Sequence, residues 1–169
     1  MPAAPSRRRL ALLATGLAAL VARPLAAQAS SGTAAERACT ERSECEAVRR
    51  ALLDYVEGFY EGDSTKHVRS VWPEVRKWGY WRSSPDSAYR GSAMPYARFM
   101  AFDANVRAGR TKTPPNAPKV VEVYEVQDQT ASGKVTAYWG TDYVLLAKEN
   151  GRWMITHVLW QSAPARAAR

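Results

Sequence analysis

The last long apolar stretch of the chain runs from Asp142 to Trp160 and reads DYVLLAKENGRWMITHVLW. Asn150-Gly151 separates two β-rich runs there, and this dipeptide favours the positive φ angles of a two-residue type I′ hairpin. Counting outward from Glu149 opposite Arg152, a side-chain period of two places Lys148/Trp153, Leu146/Ile155, Val144/His157 and Asp142/Leu159 on one face. Ala147/Met154, Leu145/Thr156, Tyr143/Val158 and Thr141/Trp160 fall on the other. Both faces are largely apolar. The hairpin is therefore expected mid-sheet, covered by helices on one side and by a second subunit on the other.

Upstream the period changes. From Ser43, Val48, Leu52, Tyr55, Val56, Phe59 and Tyr60 form one helical stripe, with Gly58 inside it where backbone is expected to pass close to another element. Asp63 or Ser64 caps a second helix that Pro73 is expected to close after Trp72. Arg76 to Arg82 reads as a short strand with a bulge at Gly79. Met94-Pro95 opens a third helix carrying Phe99, Phe102 and Val106 on one face. Lys119 to Gln127 alternates as VVEVYEV, with Val121, Val123 and Glu125 on one side and Val126 on the other, and Ala131 to Trp139 leads into the hairpin. The order α, α, β, α, β, β, β, β belongs to the α+β class, with four late strands curving around a long helix.

Tyr55 through Asp63 (YVEGFYEGD), Asp142-Tyr143 and Lys148 through Trp160 (KENGRWMITHVLW) resemble the putative lumazine-binding group of the nuclear transport factor 2-like (SnoaL-like) superfamily. The resemblance covers about residues 45 to 162. It implies a cone-shaped α+β fold, a curved antiparallel sheet around N-terminal helices, and a homodimer formed through the outer sheet face. It implies no reaction, because the superfamily holds isomerases, dehydratases, hydrolases and plain binding domains. Where the family tends to have His-Pro, this chain has Trp72-Pro73.

The start of the chain changes the picture of charge and compartment. Arg7-Arg8-Arg9, the uncharged run Leu10 to Val21, and Ala27-Gln28-Ala29 have the layout of a secretion leader, and Ser6 to Leu10 is similar to a twin-arginine signal. An apolar run of about 12 residues is short of the roughly 20 that span a bilayer. The expected organisation is a signal peptide at 1–29, a linker at 30–42, the domain at 43–163 and a disordered tail at 164–169. A periplasmic or secreted protein without stable membrane insertion follows. Losing four arginines with the leader lowers the formal charge from +8 to +4. The remaining basic residues form no stripe with interleaved aromatics, which argues against nucleic acid.

An oxidising compartment makes a Cys39–Cys45 disulfide plausible. Six helical residues would separate the two by roughly 9 Å, beyond the roughly 7 Å a disulfide tolerates. The capping box Ser43/Glu46 would start the helix between them and permit the bond, whereas the capping box Thr33/Glu36 would start it earlier and forbid it. Two thiols with no nearby histidine do not make a metal site.

For chemistry, Asp142 and His157 share a face in the predicted register, and an acid orienting an imidazole makes a general base. Tyr55, Phe59, Tyr60, Trp78, Tyr80, Trp153 and Ile155 are the candidate wall of a pocket for a small apolar or heteroaromatic ligand. No nucleophile motif, phosphate loop or metal-ligand spacing is present, and no cofactor is specified. Three readings stand: an exported binding domain that catalyses nothing, which the sequence favours; an acid/base isomerase or dehydratase using Asp142 and His157; and a dimeric interaction module with a vestigial pocket.

Overall fold

Helix α1 (Arg42–Glu61) presents Val48, Leu52, Tyr55, Val56 and Phe59 along one stripe, and the rest of the fold closes over that stripe until all five are buried. The computed structural model describes residues 42–164 apart from Pro85. Gly62 ends α1 at φ +68°, where a Cβ would stand 2.7 Å from the backbone of Asp103 and Arg107, so only glycine lets the turn pass this close. Asp63 caps the short helix α2 (Ser64–Ser70) by accepting from the Thr65 N–H at 2.9 Å.

Strand β1 (Val71–Trp81) begins directly after α2. The second helix therefore does not run to Pro73 as expected. Val71 already pairs with Ile155, and Pro73 lies in the register shift between Val71 and Arg76, where the ladder asks no N–H of it. The bulge in β1 is at this proline and not at Gly79. Strand β2 (Arg90–Ala93), helix α3 (Tyr96–Arg107), and strands β3 (Val120–Val126), β4 (Thr130–Ala137), β5 (Gly140–Glu149) and β6 (Arg152–Gln161) follow. The short RGSA segment of β2 has no apolar alternation to mark it as a strand.

The sheet has six strands in the order β2-β1-β6-β5-β4-β3, all antiparallel except β1 against β6. It is a curved, unclosed, mixed sheet and not a four-stranded antiparallel one. Its concave face supplies Val121, Val135, Val144, Leu146, Ile155 and Val158 to the core with α1. Asn150 at φ 50° and Gly151 at φ 75° form the expected tight turn, and Glu149↔Arg152, Lys148↔Trp153 and Leu146↔Ile155 pair as counted.

Beyond that point the count fails. A bulge on β6 makes Leu145 pair with His157, Val144 with Val158, Tyr143 with Leu159 and Asp142 with Trp160. One extra residue turns every later side chain to the opposite face. The same device in β3, between Val123 and Glu125, brings Val126 into the core with Val121 against the expected parity. Met154 is buried, and Val158 and Trp160 turn inward, so these three do not share the exposed outer row with Tyr143 and Leu145.

Candidate functional site: a buried lysine beneath an aromatic cavity

Alternation along β1 points Val75, Lys77 and Gly79 inward and Arg76, Trp78 and Tyr80 outward. Gly79 is required by the neighbouring strand, because a Cβ there would fall 1.6 Å from the Trp160 indole that lies across it. From β5, Asp142 projects inward beside Val144 and Leu146, and from α1 Tyr55 reaches down to meet it. Lys77 and Asp142 are 3.1 Å apart, with side-chain exposures of 4% and 0%.

Every oxygen of Asp142 is satisfied. Oδ1 accepts from Lys77 Nζ and from the Tyr55 hydroxyl at 3.3 Å, while Oδ2 accepts from Trp139 Nε1 at 2.7 Å. Lys77 also donates to the Tyr55 hydroxyl. Five aromatic rings surround the ammonium, those of Tyr55, Phe59, Phe99, Trp139 and Trp160, with centroids 5.1–5.9 Å from Nζ. Burial depresses the Lys77 ammonium below its ordinary range, and the charge and hydrogen bond of Asp142 oppose that without cancelling it. Burial, then the negative charge of Asp142, hold the Tyr55 hydroxyl well above its ordinary value, so it stays a neutral donor.

Lys77 lies at the floor of a cavity of about 170 Å³ walled by Phe59, Met94, Phe102, Tyr138, Trp139 and Trp160. The wall is almost wholly apolar. It offers a ligand flat ring contacts and, at the lysine nitrogen, a cationic polar group that can hold an acceptor atom in place or react with it.

Of the residues expected to form the site, Tyr55 and Phe59 are here. Tyr60 stands beside the cavity, its ring against Tyr138 and Trp139 and its hydroxyl bonded to Pro118 O and the Tyr138 N–H. Trp153 lies at the other end of the hairpin, where its Nε1 and Lys148 both donate to Glu44 at 2.7 Å. Ile155 is core, packed at the start of β1. Trp78 and Tyr80 are exposed on the outer face.

Asp142 and His157 do not meet. The β6 bulge sends His157 to the outer face, where it is exposed beside Arg76 and Leu145, while Asp142 has no exposed surface inside. The predicted acid–imidazole pair is thus a register error, and with it goes the only base assigned to the enzyme reading. Sequence reasoning missed Lys77, although running β1 back to Val71 would have exposed the inward series Val75, Lys77, Gly79. Cys45 is half-buried on α1, and Cys39 lies outside the described residues, as do the leader and the final residues of the tail.

A second buried pair lies behind the first. His67 Nδ1 meets Asp103 Oδ2 at 2.7 Å and His67 Nε2 meets the Tyr55 carbonyl at 3.0 Å, both side chains fully buried. Gly58 makes room for this ring, since a Cβ there would come 2.7 Å from Nε2. On the convex side, Trp78, Tyr143, Leu145, His157 and Leu159 line a cleft of about 480 Å³. Among the described residues there is no cluster of metal-ligating side chains, and no helix is long and apolar enough to cross a membrane.

Similar architectures recur in solved structures. A nuclear transport factor 2-like protein of unknown function from Shewanella baltica OS155 is 19% identical, with 75% of this chain and 98% of that one covered at a TM-score of 0.59. One from Silicibacter pomeroyi DSS-3 is also 19% identical, covering 72% and 98% at 0.53, and one from Methylobacillus flagellatus KT is 17% identical, covering 74% and 96% at 0.55. At these identities the likeness establishes the fold. Comparison with curated proteins finds no match. The family model described as "Putative lumazine-binding" matches residues 43–161, from the first turn of α1 to the last residue of β6, and the chain belongs to that family.

Proposed function

We propose that this chain is an exported binding domain whose cone cavity takes a flat heteroaromatic molecule, ring between the aromatic walls and a carbonyl-type acceptor on Lys77. The observation that carries the reading is the donor count at the floor. An ammonium has three N–H groups, and among the described residues Tyr55 and Asp142 engage two. The third is available to a ligand in a cavity whose wall is otherwise mostly aromatic and aliphatic surface. A cavity of about 150 Å³ is known to admit a benzene-sized ring, so about 170 Å³ accommodates one ring, and the second ring of a bicyclic ligand such as lumazine would extend through the mouth. The family description supports a ligand of this class.

Titration of the full chain with lumazine and with benzamide, read by tryptophan fluorescence, tests this. Trp139 and Trp160 line the cavity, so occupancy should change their emission, and Lys77→Met should abolish the change. A saturable response that survives Lys77→Met in folded protein would show that the ligand sits elsewhere.

The outer face supports self-association. Tyr143, Leu145 and Leu159 are each more than half exposed, at 55%, 53% and 51%, with Trp78 alongside at 46%. A contiguous apolar row of this kind is what protein interaction surfaces present, and a two-fold pairing would cover it on both copies. Sedimentation should give a dimer that Leu159→Asp dissociates; a wild-type monomer at all concentrations would remove the proposal. Export rests on the Arg7-Arg8-Arg9 leader pattern, and N-terminal sequencing of the secreted fraction should begin near Ser30.

A further inference from the structure

Lysine is a strongly hydrated cation that is seldom buried unless its place demands it. Here the fold encloses it in five rings, pairs it with one carboxylate, and leaves its remaining valence facing an apolar cavity. A noncovalent acceptor site does not need that arrangement, since a tyrosine or tryptophan N–H or O–H would donate at far less desolvation cost. Beyond a charge, lysine adds an amine able to become a nucleophile when desolvated.

We infer that Lys77 condenses with a single-ring aromatic aldehyde or ketone and holds it as a protonated imine, with Asp142 as counter-ion. The inference rests on the cavity being a ligand site, as proposed above, and narrows the ligand to a carbonyl compound. The step balances without any further reactant. Asp142 Oδ1, 3.1 Å from Nζ, takes one ammonium proton. The freed lone pair attacks the carbonyl carbon, a C–N bond forms, and the C=O π pair moves to oxygen, which takes a second proton from nitrogen. Asp142 then returns its proton to the resulting hydroxyl, which leaves as water while the nitrogen lone pair closes the C=N bond. One positive charge on nitrogen and one negative charge on Asp142 are present before and after. The Tyr55 and Trp139 hydrogen bonds to the carboxylate and the surrounding rings therefore serve product and reactant alike. The depressed ammonium agrees with this geometry, because it raises the fraction of free amine near neutral pH.

The full chain is incubated near neutral pH with benzaldehyde and cyanoborohydride, and the added benzyl group is located by peptide mapping. Lys77 should be labelled at least about tenfold faster than Lys134, which its hydrogen bond to Glu122 holds protonated. Benzamide, which fills the same space but cannot condense, should suppress labelling at Lys77 and not at Lys134. This comparison is internal to wild-type protein, so it does not depend on a variant folding. Lys77→Arg, which keeps the charge, should lose the label. Benzamide binding with Lys77 labelled no faster than Lys134 would overturn the imine and leave the binding site standing. Neither binding nor preferential labelling would overturn both.

Discussion

Asp142 and Asp103 are both fully buried in the same small domain, and each faces a basic side chain, yet they are built differently. Asp142 has three donors on its two oxygens, and its lysine borders a cavity. Asp103 has one oxygen on His67 and another without a partner among the described residues. The imidazole is enclosed by Tyr55, Phe59 and Phe99 and lines neither the cone cavity nor the outer cleft. Proton counting separates them further. The Tyr55 carbonyl can only accept, so Nε2 donates to it, and Nδ1 is taken up by Asp103. No donor is left over. The difference teaches that burial of an acid–base pair does not locate function. The proposed function rests instead on a spare valence directed at empty space, which Lys77 has and His67 lacks.

The comparison breaks most readily at His67. His67→Leu leaves Asp103 buried without its base and frees the contact that ties α2 and α3 to the α1 backbone, so a loss of about 3–5 kcal/mol is expected in chemical denaturation. Benzamide binding by the protein that remains folded should be unchanged. Lys77→Met should cost less, about 3 kcal/mol, because Tyr55 and Trp139 still donate to Asp142, but it should abolish binding. Pairing it with Asp142→Leu removes the unpaired carboxylate but strands the Tyr55 hydroxyl and the Trp139 N–H, so it should restore only part of the stability and none of the binding. If His67→Leu abolished binding in folded protein while Lys77→Met spared it, the assignment of roles to the two pairs would be reversed.

A smaller effect sharpens the same contrast. Alanine at Gly58 would gain about 1 kcal/mol of helix propensity. Against this stands overpacking of about 1–3 kcal/mol, because the new Cβ meets an imidazole that two hydrogen bonds hold in place. Gly58→Ala should thus lose up to about 2 kcal/mol, and in the His67→Leu background the branched apolar side chain should yield more easily and the loss should shrink. A stabilised Gly58→Ala protein would show that the His67 ring is not pinned.

How much of this was legible in the sequence follows from where local rules held. The α1 stripe, the Asp63 cap, the Asn150-Gly151 turn and the start of α3 each depend on a few neighbouring residues, and all are as expected. Gly58 also carried its signal, since a costly glycine in a helix announced the close approach that His67 makes. The candidate site was legible only through Tyr55, Phe59 and Asp142. Extrapolating a two-residue period past Ile155 assumed an unbroken ladder, and the β6 bulge removed His157 from the interior and brought Trp160 in. Lys77 was hidden for the opposite reason, because Pro73 read as a helix terminus and concealed the first half of β1. Bulges and a proline at a register shift are tertiary decisions that alternation alone does not reveal.

Glu57 gives the smallest expected effect and separates buried pairing from pairing near solvent. It accepts from Arg50 at 2.7 Å and from Lys66 and Lys119 at 2.8 Å, linking α1 to α2 and to the segment before β3. Burial alone would raise its pKa, but the hydrogen bonds from Lys119, Lys66 and Arg50 outweigh burial and bring it from 4.5 down to about 2. The folded value lies below the unfolded one, so the contribution is fully present above pH 4.5 and is lost as the pH falls from there to about 2. Because two of the three cations are 41% and 50% exposed, the effect should not exceed about 1 kcal/mol. Glu57→Gln should therefore flatten the acid limb of the stability curve by that amount and leave neutral-pH ligand binding untouched. Added salt should shrink the difference between wild type and Glu57→Gln, since exposed charges are screened, while leaving the cost of Lys77→Met nearly constant. A salt-insensitive Glu57 contribution, or a Lys77→Met cost that salt removes, would contradict the division between a solvated network on α1 and a dry pair beneath the cavity.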